Sequence, residues 1–175
     1  MSEVRPEAER GRGGARVVTA GSGSVNVATG LPVLDHLLTL LAAYARFDRA
    51  LEVVPGNAEA EVVGAGSALG EALRDALRAD GARGFGSASA TASEALAHVA
   101  IEATDDPLLV SNVDLTDARV GGLATDFAGR FLQAFVDDAG LTLHVRLLHG
   151  SDSQHVLEAI FKALGVALAD ATRTL

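Results

Sequence analysis

The chain contains no cysteine. That excludes disulfides, thiolate metal sites and cysteine nucleophiles, and it fits a reducing interior. No apolar run is long enough to span a bilayer, and residues 1–15 lack the apolar core of a secretory signal, so a soluble cytoplasmic protein with no membrane partner is expected. Positive charge is also scarce. Fourteen Lys and Arg against 23 Asp and Glu leave a net charge of −9, which repels phosphate backbones. No basic stripe interleaved with aromatic residues offsets this, so nucleic acid is not an expected partner. The basic cluster from Arg5 to Arg16 is brief and Gly-rich and reads as a solvated tail.

What is present suits a folded protein. With 49% hydrophobic and 21% charged residues, the 175-residue chain can form one compact domain or two small halves that share a core. Pro32 opens an apolar-periodic run whose Leu34, Leu37, Leu38 and Leu41 share one side, the pattern of a helix. Residues 49–54, with β-branched Val53 and Val54, suit a strand. Beyond the break at Pro55-Gly56, Leu69, Ala72, Leu73, Ala76 and Leu77 mark a second helix ending near Asp80-Gly81. The order then repeats. Phe127, Phe131, Leu132 and Phe135 line a helix that stops at Ala139-Gly140, and residues 141–147 alternate like a half-buried strand. A loop at Gly150–Ser153 leads into a last helix with Val156, Leu157, Ile160, Phe161, Leu164 and Leu168 on its apolar face; Asp152 or Ser153 can cap it.

The two halves are offset by about 95 residues, which pairs His36 with Arg130, Ala60 with His155 and Val63 with Glu158. Further strands are expected at 17–19, 24–28, 85–92, 96–102 and 108–113. The expected architecture is α+β: two similar α/β halves from an internal duplication, with helices on one face of each sheet. A flexible tail at 1–15 precedes half-repeats at 16–92 and 93–175.

The segment Gln154 to Lys162 looks like a metal-binding helix with one ligand missing. His155 and Glu158 are three apart and Lys162 follows seven after His155, so the three project from one helical face. A histidine at 154 would complete the pattern, but the residue is Gln154. Blander readings stand beside this one. His155 and Glu158 can hydrogen-bond each other or water, His36 lies in an apolar helix where a satisfied core histidine is ordinary, and Lys162 can reach solvent along its stem. His98, His144 and His149 have no ligand partners by spacing. Gly64-Ala65-Gly66 lacks the Lys and Ser/Thr that a phosphate loop needs. Asp105-Asp106 and Asp137-Asp138 read as solvated loop charges.

Several strings in order carry a family resemblance: Thr29-Gly30, Leu34-Asp35-His36-Leu37-Leu38, Phe47-Asp48, Ala68-Leu69-Gly70-Glu71-Ala72, Phe85-Gly86, Glu94-Ala95-Leu96, Leu143-His144 and His155 through Leu164. Over roughly residues 24–170 they resemble the imidazoleglycerol-phosphate dehydratases of histidine biosynthesis. The resemblance implies a duplicated fold of the ribosomal protein S5 domain 2-like kind and a homo-oligomer, trimer or larger. It also implies two manganese ions that hold the substrate's imidazole while water leaves the glycerol phosphate arm, the cations making the ring a better electron sink.

The family builds its ion clusters from one His-His-x-x-Glu helix per half and a lone histidine from the other helix. At the matching positions only His36, His155 and Glu158 remain as ligands. The first motif falls on Glu59, Ala60 and Val63, with Gly64 where an acidic neighbour is expected; the second lone histidine is Arg130 and the first histidine of the second pair is Gln154. Arg130 keeps its charge at any ordinary pH, so it would repel a divalent ion. On the phosphate side, the arginine expected before Phe85-Gly86 is Gly84, with Arg83 adjacent, and the family's Gly-Arg-Pro is Asp105-Asp106-Pro107, which reverses the local charge. Neither the family's C-terminal Ser-Thr-Lys segment nor its N-terminal glutamate pattern has a recognisable counterpart in the sequence.

Core positions keep their period while ligands change. The expectation is therefore a catalytically inactive relative with an assembly, interaction or regulatory role, and no cofactor. One alternative is an active dehydratase or related lyase that uses manganese on His36, His155 and Glu158, with Lys162 and Arg83 as substrate-binding residues. Another is a small-molecule binding module. The resemblance also implies trimers that assemble into a large shell joined by metal ligands, so losing most of those ligands would weaken the shell, while trimers could persist.

Overall fold

The computed structural model describes residues 14–18, 25–46, 48–52, 58–113, 119–120, 123–124 and 126–174. Nine strands and four helices follow one another among them: β1 (Gly14–Val18), β2 (Val25–Ala28), α1 (Pro32–Ala45), β3 (Asp48–Glu52), α2 (Ala58–Leu77), β4 (Phe85–Ala92), β5 (Ala95–Ala103), β6 (Leu108–Ser111), β7 (Arg119–Val120), β8 (Leu123–Ala124), α3 (Asp126–Ala139), β9 (Leu141–His149) and α4 (Ser153–Thr172). One mixed sheet has the order β1-β3-β2 and the other the order β4-β5-β9-β6, each with one parallel pair at an edge. The short hairpin β7-β8 was not foreseen from sequence. The fold is α+β, as expected.

Each helix starts or stops for a local reason. Pro32 sits in the first turn of α1, where its missing N–H removes a donor that the helix could not satisfy. Asp35 then reaches back from that first turn to accept from the Thr29 backbone N–H at 2.7 Å and from the Thr29 hydroxyl, which secures the chain entering the helix. At α4 the foreseen cap forms, with Asp152 Oδ1 accepting from the His155 backbone N–H at 3.1 Å. Asp152→Ala is expected to cost about 1 kcal/mol, read as a lower urea midpoint with an unchanged slope. The end of α3 is held from another helix: Arg78, just past α2, donates to the carbonyls of Ala139 at 2.9 Å and Gly140 at 2.5 Å. Gly140 itself lies at φ 67, and a Cβ there would fall 2.4 Å from the Arg78 guanidinium.

The four helices pack in two seams. Helix α1 lies along α4 and α2 along α3, so each seam joins an early helix to a late one. Both seams bring backbones close enough that glycine is required. A Cβ on Gly165 of α4 would meet the Leu41 carbonyl oxygen at 2.4 Å, and one on Gly70 of α2 would meet the Phe135 carbonyl oxygen at 2.6 Å. The same offset of about 95 residues relates Gly70 to Gly165 and Leu41 to Phe135. Helix α4 also covers β4 and β5, while α1 and α2 contact the first sheet. One continuous core results. Phe131 joins Phe135 and Phe161, with ring centroids 6.4 and 5.6 Å away, and links α3 to α4.

Some expectations change. The strand expected at 49–54 is β3, and it ends at Glu52; Val53, Val54 and the break at Pro55-Gly56 lie outside the described residues, as do residues 1–13 of the expected tail. Gly64-Ala65-Gly66 lies inside α2, in keeping with the sequence reading that it is no phosphate loop. Strand β4 ends at the expected boundary between half-repeats and pairs in antiparallel register with β5 across it. His36 is no core histidine. Its side chain is 52% exposed, because α1 buries Leu34, Leu37, Leu38 and Leu41 and leaves position 36 on the flank that faces α4.

Candidate functional site

The flank of the α1–α4 seam gathers the polar side chains. His36 Nε2 lies 3.1 Å from Glu158 Oε1, joining residues 122 apart in sequence. Gln154, one turn before Glu158 on α4, donates to the same carboxylate oxygen at 3.2 Å. Further along, Lys162 Nζ donates to the Thr91 carbonyl at 3.3 Å and stands 5.6 Å from the Tyr44 ring centroid. The seam thus carries His36 and Tyr44 from α1 facing Glu158 and Lys162 from α4. Lys162 does not simply run out to solvent.

His155 and Glu158 do not bond each other. The His155 Nδ1 meets Glu94 Oε2 at 2.7 Å instead, while the other Glu94 oxygen accepts from the backbone N–H of Asp152 at 3.0 Å and of Ser151 at 3.4 Å. These bonds favour the ionised carboxylate. The Asp152 N–H contributes most, followed by the backbone N–H of Glu94 itself and the His155 contact, and the Glu94 pKa falls to about 2. The same hydrogen bond, donated by His155 to Glu94, raises the pKa of His155, aided by the charges of Asp152, Glu94 and Glu158. Sequence inspection missed Glu94 as a site residue. It stood only in the string Glu94-Ala95-Leu96, 61 residues from its partner, and no spacing rule connects the two.

The remaining site residues lie elsewhere. Arg83 pairs with Asp170 at 2.7 Å and stacks over Phe85 at 4.3 Å, beside a groove of about 530 Å³ that Glu102, Thr142 and His144 also line. Phe85 and Thr91 stand six residues apart on β4, which at strand rise is about 20 Å. Within one chain, Arg83 and Lys162 therefore do not share a phosphate. In the second seam, Arg130 on α3 donates to Asp126 at 2.7 Å, and Val63 on α2 is exposed. His98 bonds Ser89 and His149 bonds the Glu94 carbonyl.

Paired early and late helices, with a histidine–carboxylate contact at one seam, define a duplicated α+β class of protein. The sequence profile of imidazoleglycerol-phosphate dehydratase matches residues 29–168. The chain is 40% identical over 163 residues to that dehydratase from Syntrophobacter fumaroxidans, covering 91% of this chain and 83% of the relative. It is 38% identical over 158 residues to the one from Pelobacter propionicus, covering 87% and 80%. Among solved structures, the Staphylococcus aureus dehydratase superposes with a TM-score of 0.85 at 26% identity, covering 92% of this chain and 94% of that one. The Pyrococcus furiosus enzyme, solved in complex with (S)-C348, gives 0.81 at 28% identity, covering 92% and 89%. This chain belongs to the imidazoleglycerol-phosphate dehydratase family.

His36 and Glu158 meet and His155 holds Glu94 through Nδ1, but among the described residues no group of three or more His, Cys, Asp or Glu is placed to hold a metal. At the corresponding place in the second seam, Arg130 and Val63 supply a permanent cation and a hydrocarbon. No helix among the described residues is long and apolar enough to cross a membrane.

Proposed function

We propose that this chain is a carbon–oxygen lyase of its family's kind, removing water from imidazoleglycerol phosphate. The contact between His36 and Glu158 carries the reading, together with relatives 38–40% identical that bear the dehydratase name. A half-exposed imidazole backed by a carboxylate can take a proton and be stabilised as the imidazolium. His36 removes a carbon-bound proton from the glycerol arm and returns it to the hydroxyl that leaves the adjacent carbon as water. The enol left behind rearranges to a ketone, and the His36–Glu158 pair is regenerated. Lys162, on the same face of α4, supplies a cation for the phosphate arm.

A second reading has its own support. Val63, Ala60, Gln154 and Arg130 stand where the family pattern places ligands, and they favour a relative that keeps the fold without the reaction, serving assembly or regulation as a homo-oligomer. One experiment separates the two. Purified protein is given imidazoleglycerol phosphate with and without manganese while ketone formation is followed, and bound metal is measured by mass spectrometry. Ketone formed at a steady rate supports the lyase. A folded, metal-free protein that forms none, with manganese supplied, rejects it in favour of the second reading.

A further inference from the structure

We propose that Glu94 is a positioning residue for His155: its carboxylate fixes the ring proton on Nδ1 and leaves Nε2 as the ring's acceptor nitrogen. Any consequence for turnover rests on the lyase reading above. The proton's position does not.

Glu94 is the second residue of the two-residue turn between β4 and β5, after Ser93 at φ 49. A serine in the left-handed region is strained, and such strain persists only where the surroundings hold it. Glu94 supplies those surroundings through four contacts. Oε1 holds the loop that enters α4, through the N–H groups of Ser151 and Asp152; Oε2 holds His155; and the backbone carbonyl meets His149 Nδ1 at 3.0 Å, at the end of β9. The turn, the last strand and the first turn of α4 are thereby tied at one point. His155 is fixed at both ends, since Asp152 accepts from its backbone N–H at 3.1 Å.

An ionised carboxylate can only accept. At 2.7 Å from Glu94 Oε2, Nδ1 must therefore carry hydrogen in either charge state of the ring, and in the neutral ring Nε2 is the bare nitrogen. A histidine free in water prefers the opposite tautomer, so Glu94 reverses an intrinsic preference. Carboxylates that accept from the far nitrogen of a ligating histidine act in this way, orienting the ring and raising its basicity.

A purely structural staple would hold the loop without governing the proton. Glu94→Gln tells the two apart. The amide keeps an oxygen for the N–H groups of Ser151 and Asp152 but can turn its NH₂ toward His155, and Nδ1 must then accept. The test is a two-bond ¹H–¹⁵N correlation on the full chain labelled at histidine, recorded without substrate at a pH above the titration of His155. Wild type is expected to hold the Nδ1–H form over the Nε2–H form by about tenfold, the worth of one charge-assisted bond at a solvent-exposed site. Glu94→Gln is expected to invert that ratio. A wild-type ring with its proton on Nε2 overturns the proposal, and so does a folded Glu94→Gln protein whose tautomer is unchanged. If the variant does not fold, the wild-type spectrum decides alone. Because no substrate is present, a failed turnover assay leaves this result standing, and the reverse also holds.

Discussion

Gly165→Ala is expected to destabilise the protein by about 2 kcal/mol, although the same change in an open helix gains about 1 kcal/mol. The sign is set by what the new methyl group meets. On α4 a Cβ at 165 would lie 2.4 Å from the Leu41 carbonyl oxygen and 3.1 Å from both the Ala45 nitrogen and the Tyr44 Cβ. The first two are backbone atoms of α1, so no side chain can swing aside and the helices must part. At Gly129, on the exposed face of α3, nothing lies within 4 Å, and Gly129→Ala is expected to stabilise by the full propensity difference of about 1 kcal/mol. Urea denaturation with unchanged slopes should show midpoints moving in opposite directions, and the Gly165 variant should melt about 4–8 °C lower. Equal stability of Gly165→Ala and wild type would sink the close approach of α1 to α4. Parting this seam also separates His36 from Glu158, so the glycine supports the site as well as the fold.

The elements legible in the sequence are those whose burial repeats along the chain. Leu34, Leu37, Leu38 and Leu41 recur at helical spacing, and all are buried on α1; residues 141–145 alternate, and Leu141, Leu143 and Val145 are the buried set. Asp152 announced its cap by standing just before an apolar-periodic run. The beginning of α2 was less legible, since Gly64, Gly66 and Gly70 depress helix propensity. Their presence has a tertiary cause for two of them, because a Cβ at 66 would strike the Phe131 carbonyl oxygen at 2.5 Å, much as one at 70 would strike that of Phe135.

The candidate site was legible in its parts and not in its contacts. His36, His155 and Glu158 stood out by motif, yet the i,i+3 rule pairs His155 with Glu158, and the structure gives each of them a partner from another element. Helical spacing says which side chains share a face. It says nothing about what that face meets. An apolar helix likewise made His36 look like a core residue, because the flank that α1 presents to α4 is fixed only once the seam is packed. Arg83 and Lys162 were both expected to bind substrate, and the length of β4 keeps them apart.

Gln154→His is expected to raise the affinity for zinc and manganese by about a hundredfold, because it turns a two-donor contact into a three-donor site. The Gln154 side-chain nitrogen already lies 3.2 Å from Glu158 Oε1, the oxygen that His36 Nε2 approaches at 3.1 Å. An imidazole on the same backbone position places its nitrogen in the same neighbourhood, and an ion entering there would replace those direct contacts with bonds to two imidazoles and a carboxylate. Three such ligands with open positions are the donor set of catalytic rather than structural metal sites. Zinc should bind more tightly than manganese at this set, and both should weaken in acid as the imidazoles take up protons. Titration calorimetry on wild type and variant at one pH reads the difference directly, and His36→Ala in the variant background should abolish it. If Gln154→His binds no better than wild type, then the side chains at this seam do not converge as ligands must. A gain would show that the side chain at 154 limits cation binding at this seam, on a backbone that holds the site's geometry.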